Sequence, residues 1–387
     1  MTAAKTAPVV GWIPPGRLVY NPVVRHFVDW RALYAANQAV IQGNLAVPAA
    51  LPPASDTKPP RGKPRVRTRA LRSGADHALR GGPGGAGRWD RLTYSGAHGS
   101  APYFLYTPPG LGPRAGTPLL VMLHGCTQTP EDLARGTRMN ETADRDGFAV
   151  AYPEQTNRRN PHGCWNWFLA HHQARSSGEP ALLAGITQDA AARLGPSVDP
   201  ERIFLAGMSA GAAMAVVMGA THPDLFAAIA VHSGLAYGAA PSQRTAFEAM
   251  ARGTNDPGRR GTHAFEAMRE RARLMPTIVL HGTRDRVVCP VNGDQVVEQW
   301  LATNALVTAG SFNGDPARPD AVDHCRAEQG HPYTRYRWND SRGRPVQEYM
   351  KIEGLGHAWS GGNQSGSYTD ARGPDATQAI WEFFAQL

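Results

Sequence analysis

The 387-residue sequence predicts an α/β fold. The expected core is a mostly parallel central sheet with helices on both faces, preceded by a short helical extension and a linker. Three observations lead there. From about Trp89 onward, stretches that read as strands alternate with stretches that read as helices, the pattern of parallel strands joined by crossover helices. The run "PLLVMLHG" is continuously apolar, as a strand buried on both faces must be. The run "RIFLAG" passes through a single serine, with glycines two residues to either side, into "AGAAMAVVMGATHP". That is a strand, a tight turn and a helix in direct succession.

Residues 1–50 place Val23, Phe27, Trp30, Leu33 and Tyr34 at helical spacing, which predicts an amphipathic helix from Val23 to about Leu45. Residues 51–91 are rich in Pro, Gly and Arg, a composition that cannot bury enough apolar surface to fold alone, and read as a linker. Residues 92–387 form the expected main domain. There "LTYSG" and "PYFLYTP" read as a hairpin, and "PLLVMLHG" as the first buried parallel strand. "PEDLARGTRMNETADRDG" reads as one helix, "FAVAYPE" as a strand and "PALLAGITQDAAARLG" as a helix. "FAAIAVHSG", "PTIVLHG" and "VQEYMKIEG" supply three more strands, and "DATQAIWEFFAQL" closes the chain as a helix.

The net charge of +8 is uneven. Residues 1–55 carry +3 and residues 56–91 carry +7, which leaves −2 on residues 92–387. The basic balance thus belongs to a segment. It reads either as a solvated linker or as an electrostatic attachment to an anionic surface. No apolar run reaches the roughly 18 residues of a membrane span. The four cysteines, Cys126, Cys164, Cys289 and Cys325, lack the CxxC spacing of zinc or thioredoxin chemistry.

Gly207-Met208-Ser209-Ala210-Gly211 is a G-x-S-x-G pattern. A serine at such a junction adopts a strained backbone to project its hydroxyl, and larger side chains two residues away would collide. It also sits at the positive end of the following helix. Ser209 is therefore the candidate nucleophile. A reactive serine needs a base, and the base needs an orienting acid, in the chain order Ser, acid, His. "IVLHGTRDRVVCP" places Asp285 after a strand, and "KIEGLGHAWSGG" places His357 in a loop after the next one. His124, His232 and His281 also end strands, but they precede the acid or lie beside it. The oxyanion of an acyl-transfer intermediate needs two donors. Ala210 follows the nucleophile, and Cys126 in "VMLHGCTQ" occupies the second donor position.

In order, "LHGCTQT", "NPHGCWNWF", "GMSAGAAMA", "HGTRDRVVCPVNG" and "GLGHAWSGG" resemble the poly(3-hydroxybutyrate) depolymerase type of esterase among the α/β-hydrolases, over about residues 92–387. The resemblance implies an α/β-hydrolase fold and a serine esterase acting on short-chain hydroxyalkanoate polyesters or their oligomers. It assigns Ser209, Asp285 and His357 to the triad, Cys126 and Ala210 to the oxyanion hole, and the Trp165 and Trp167 region to substrate contact. Trp359 joins these as an aromatic suited to a greasy ester. Feruloyl and acetylxylan esterases share the domain, so a carbohydrate-linked ester is the alternative substrate, and a non-catalytic granule-binding protein is a third reading. The implied partners are an ester substrate and a polymer granule surface. No nucleic-acid partner, cofactor or metal is expected.

No secretory leader is visible at the N-terminus, which favours a cytoplasmic or granule-associated protein over the extracellular alternative. The cysteines point the other way. The expected disulfides are Cys126–Cys164, which would hold the donor loop against the aromatics, and Cys289–Cys325, which would steady the acid. Four cysteines allow two other connectivities.

Overall fold

Thr117–Leu123 and Ala149–Pro153 are buried at every residue, because both faces of the sheet they belong to are covered. The computed structural model describes residues 78–80, 82–112 and 116–387. The expected helix Val23–Leu45 and most of the expected linker lie outside the described residues. In chain order the strands are β1 (Ala78–Arg80), β2 (Arg88–Gly96), β3 (Gly99–Thr107), β4 (Thr117–Leu123), β5 (Ala149–Pro153), β6 (Val198–Met208) and β7 (Ala228–His232). They continue as β8 (Thr277–Gly282), β9 (Ala321–Arg326), β10 (Pro332–Asn339), β11 (Pro345–Ile352), β12 (Trp359–Ser360) and β13 (Thr369–Asp370). The helices are α1 (Pro130–Thr137), α2 (Met139–Asp146), α3 (Gly178–Leu194), α4 (Ala210–Thr221), α5 (Gln243–Arg252), α6 (Pro257–Met268), α7 (Val291–Val307) and α8 (Ala376–Ala385).

Strands β1 to β11 form one sheet in the order β1-β2-β3-β5-β4-β6-β7-β8-β11-β10-β9. Its central part, β5-β4-β6-β7-β8-β11, is parallel, with antiparallel strands at both edges. Alternation along β4 divides the core. Leu119, Val121 and Leu123 face a layer containing Leu182, Met214 and Trp300. Leu120 and Met122 face a layer containing Leu133, Phe383 and Phe384. From β4 the chain passes to β5 on one side, and β6 then pairs with β4 on the other. The strand order reverses there, and the crevice at the carboxyl ends of strands flanking such a reversal is where ligands bind in open α/β sheets.

Three expectations are corrected. The stretch read as a single helix is two, α1 and α2, broken at Arg138 with φ 57°. The Arg138 N–H closes α1 on the Ala134 carbonyl, and the new direction buries Met139, Asn140 and Ala143. The sheet also begins before residue 92, since β1 and the start of β2 fall within the stretch read as linker. Trp89 explains why: it is 2% exposed and stacks on Phe104 at 5.0 Å. Finally, Cys289 and Cys325 are free thiols. Cys289 follows β8, whereas Cys325 lies on β9, with β11 and β10 in between. Three strand spacings of about 4.8 Å exceed the roughly 7 Å that a disulfide spans between Cα atoms.

Candidate active site

The site is assembled at the carboxyl ends of β4, β6, β8 and β11. At the end of β6 the backbone turns sharply through Ser209, at φ 56° and ψ −118°, into α4. The Ser209 N–H donates to the His232 carbonyl at 2.9 Å, and its own carbonyl accepts from Ala213 N–H. Both flanking glycines are required by close approach. A Cβ on Gly207 would lie 2.4 Å from the Gly211 carbonyl, and one on Gly211 only 2.1 Å from the Leu123 carbonyl. The turn is thus pressed against the end of β4.

Asp285 and His357 are 72 residues apart in sequence but follow neighbouring parallel strands, β8 and β11. The two loops are zipped together: Thr283 N–H donates to the Ile352 carbonyl and Arg284 N–H to the Leu355 carbonyl, both at 2.9 Å. Asp285 Oδ1 accepts the N–H groups of Val287 and Val288, while Oδ2 lies 2.7 Å from His357 Nδ1. Both residues are 2% exposed. Burial alone would raise the Asp285 pKa, but the charge and hydrogen bond of His357, helped by His281, hold it below the usual carboxylate value. An ionised carboxylate only accepts, so in a neutral imidazole the proton belongs on Nδ1 and the lone pair on Nε2.

The loop after β4 faces the same turn. A Cβ on Gly125 would lie 3.5 Å from Ser209 Cβ. Gly125 N–H is held by Gln128 Oε1 and Thr127 N–H by the His162 carbonyl. Between them, the Cys126 N–H makes no hydrogen bond among the described residues, and neither does the Ala210 N–H in the first turn of α4. Thr127, Ser209, Ser233 and Tyr368 all have positive φ. Each such non-glycine residue costs about 1–3 kcal/mol, and each lies within one residue of, or in contact with, Cys126, Ser209, His232 or His357. A cleft of about 490 Å³, counting its open mouth, is lined by Ser209, Ala210, Cys126, Trp167, Phe168 and Met250 among others.

The profile of the family described as "Esterase PHB depolymerase" matches residues 101–318. The chain belongs to this family. Poly(3-hydroxyalkanoate) depolymerase C of Paucimonas lemoignei is 31% identical over 281 residues, 70% of this chain. The match takes in 62% of that protein, less than two thirds of its length. A probable acetylxylan esterase A of Aspergillus clavatus is 28% identical over 60% of this chain and 73% of its own. Among solved structures, an acetyl xylan esterase from Aspergillus awamori superposes with a TM-score of 0.60 at 22% identity, covering 77% of this chain and 99% of that one. The fold is that of the α/β-hydrolase esterases.

In this PHB depolymerase-family chain, one of the three tryptophans expected at the substrate lines the cleft. Trp167 does, with Phe168 edge-on to it at 5.5 Å. Trp165 is instead buried beneath the donor loop, its Nε1–H donating to the His124 carbonyl. Trp359 is buried on the base side, donating to Thr377 Oγ1 and stacking on His232 at 5.0 Å. Sequence pattern cannot tell a lining tryptophan from one whose N–H is satisfied inside. The other three strand-end histidines are buried as well. Burial lowers His124 to about 4 and His232 to about 3, and His281 is lowered as well. His232 is still informative: its carbonyl holds Ser209 N–H while its Nε2 accepts Ser360 N–H at 3.2 Å, so one residue ties the serine turn to β12, just after His357.

Several site residues had no expectation attached. The opposite cleft wall includes Leu235 and, from α5, Gln243, Ala246, Phe247 and Met250. Their i, i+4 spacing is the only sequence signal. Glu179, at the start of α3, is buried against Asn166, the residue before Trp167. Its carboxyl receives Asn166 N–H at 2.7 Å and the side chains of Asn166 and Gln155. Burial raises its pKa to about 7 against the pull of these donors.

The expected Cys126–Cys164 bond is present. It joins the donor loop to the wall that carries Trp167. With a sequence separation of 38, its removal is expected to cost up to about 4 kcal/mol. Thiol titration of the denatured, non-reduced protein should give two free thiols, from Cys289 and Cys325. A count of four would remove the bond.

Among the described residues, no helix is long and apolar enough to cross a membrane.

Proposed function

We propose that the chain is a serine esterase that hydrolyses 3-hydroxyalkanoate esters, polymeric or oligomeric, through an acyl-enzyme. The observation that carries this reading is the buried Asp285–His357 pair, 2.7 Å apart, at the end of the sheet where the strained Ser209 also lies. In the proposed reaction His357 Nε2 takes the Ser209 hydroxyl proton as Oγ attacks the ester carbonyl. The oxyanion that forms is received by the Cys126 and Ala210 N–H groups. The carbon–oxygen bond to the leaving alcohol then breaks, and His357 returns its proton to that oxygen. Water repeats the sequence on the acyl-serine and releases the acid.

A polyester offers few hydrogen-bonding groups beyond its carbonyls, so its binding must be largely apolar. Trp167, Phe168, Leu235, Phe247 and Met250 give the cleft that character, and the Paucimonas lemoignei relative is named for such a polymer. A second reading, an ester carried on a carbohydrate, draws on Asn160, His162 and Gln243 at the same cleft and on the acetylxylan esterase relative.

The deciding experiment compares kcat/KM for 3-hydroxybutyrate oligomers and for methyl ferulate. The oligomers are expected to be preferred at least about tenfold, since losing one or two well-packed apolar groups is worth that much. A preference for methyl ferulate overturns the polyester assignment. Failure to cleave p-nitrophenyl butyrate as well overturns the esterase reading.

A further inference from the structure

We propose that Tyr368 is a positioning residue that sets the donor loop and the base imidazole relative to each other, acting through Thr127. The inference rests on the serine esterase reading above. Tyr368 ends the loop that runs from β12 to β13. Its hydroxyl lies 3.0 Å from Thr127 Oγ1, one residue beyond the Cys126 N–H. Its ring meets the His357 imidazole edge to face, with centroids 6.1 Å apart and planes at 83°. One side chain therefore touches both halves of the site.

The backbone supports this reading. Thr127 and Tyr368 have φ of 65° and 53°. A β-branched and an aromatic residue both avoid this region unless their surroundings hold them there. At Thr127 the hold is the hydrogen bond from its N–H to the His162 carbonyl. At Tyr368 the carbonyl accepts Trp359 N–H at 2.6 Å. The two conformations place the hydroxyls in register. The Thr127–Tyr368 contact then restrains the residue next to Cys126, beside the main-chain bonds of Gly125 and Thr127.

The loop does not depend on this contact for its place. Ser367 N–H donates to Asp132 Oδ1 at 3.0 Å, and Gln128 Nε2 donates to the Ser367 carbonyl at 3.1 Å. Removing the Tyr368 hydroxyl leaves both anchors and the aromatic ring. Tyr368→Phe thus tests alignment and leaves the packing of the loop intact.

The experiment measures p-nitrophenyl butyrate kinetics, melting temperature and fluorophosphonate labelling at Ser209 for five full-length proteins: wild type, Tyr368→Phe, Thr127→Val, the double variant and Thr127→Ser. Tyr368→Phe and Thr127→Val are each expected to lower kcat by about 10- to 100-fold, the range for a small misplacement of a reacting group. KM should stay within about twofold in each. The double variant should be no slower than the slower single variant, because both break one contact. Thr127→Ser keeps the hydroxyl and should restore most of kcat. A Tyr368→Phe enzyme within twofold of wild type, with Ser209 labelled normally, overturns the positioning role alone. Multiplying losses in the double variant overturn the coupling. A wild-type protein that is not labelled at Ser209 overturns the serine esterase reading and this inference with it.

Discussion

Ser209→Ala is expected to lower kcat for p-nitrophenyl butyrate by about 10⁴–10⁶-fold, the usual cost of losing an activated nucleophile, while the protein stays folded. The residue is 7% exposed and its turn is held by main-chain contacts: Ser209 N–H to the His232 carbonyl and Ala213 N–H to the Ser209 carbonyl. Alanine keeps both. It also suffers no more than serine from φ 56°, since the penalty there comes from the Cβ that both residues carry. Kinetics and a thermal melt on the same preparation check the two halves of the claim. A variant that keeps more than a tenth of wild-type activity would show that Ser209 is not the nucleophile.

Asp285→Asn is expected to lower kcat by about 10⁴-fold with KM little changed. The amide has the same shape, and its oxygen can still accept from Val287 and Val288 N–H as Asp285 Oδ1 does. Its nitrogen must then face His357 Nδ1, 2.7 Å away in the wild type. Two donors cannot share that contact, so the imidazole moves its proton to Nε2 and loses the lone pair that would take the serine proton. Nearby acids are not placed to substitute. Asp294 is bound by Lys351 Nζ and the Tyr349 hydroxyl, and Asp323 pairs with Arg337 on the β9–β10 edge. Steady-state kinetics decide the matter, and unchanged turnover would mean that another acid orients the base.

The candidate site is more legible in the sequence than the walls around it. A glycine-flanked serine between strand and helix leaves a trace because backbone contact forbids a Cβ at Gly207 and Gly211. Asp285 is readable because it follows β8, whose Ile278-Val279-Leu280 core is unbroken and apolar, and His357 because it lies in a glycine-rich loop after β11, although β11 buries Gln347 and Glu348. By contrast, α7 shows no clean apolar stripe. It buries Asn292, Gln295, Gln299, Thr303 and Asn304 along with Val296 and Trp300. Those polar groups are bonded to neighbouring segments, as Asn304 is to Met275 and Gln295 to Thr254, and no pattern of hydropathy encodes such pairing. Strand β10, "PYTRYRWN", puts Tyr336 and Trp338 on one face and Arg335 and Arg337 on the other, but is only partly buried, so its period-2 signal is weak. The break at Arg138 and the separation of Cys289 from Cys325 depend on tertiary placement, which residue spacing does not carry.

The parallel ladder that delivers the site also bears on how activity is acquired. Cys126, Ser209, Asp285 and His357 come from the ends of four strands whose pairings all join distant parts of the chain. Such pairings have high contact order and form late, after long loops have been closed. No hairpin or single crossover unit brings the serine, the base and the donor loop together. In a refolding time course, esterase activity should therefore rise with the last phase of sheet assembly, behind the recovery of helical signal. A nascent chain would remain inert until β11 and the His357 loop have emerged and docked.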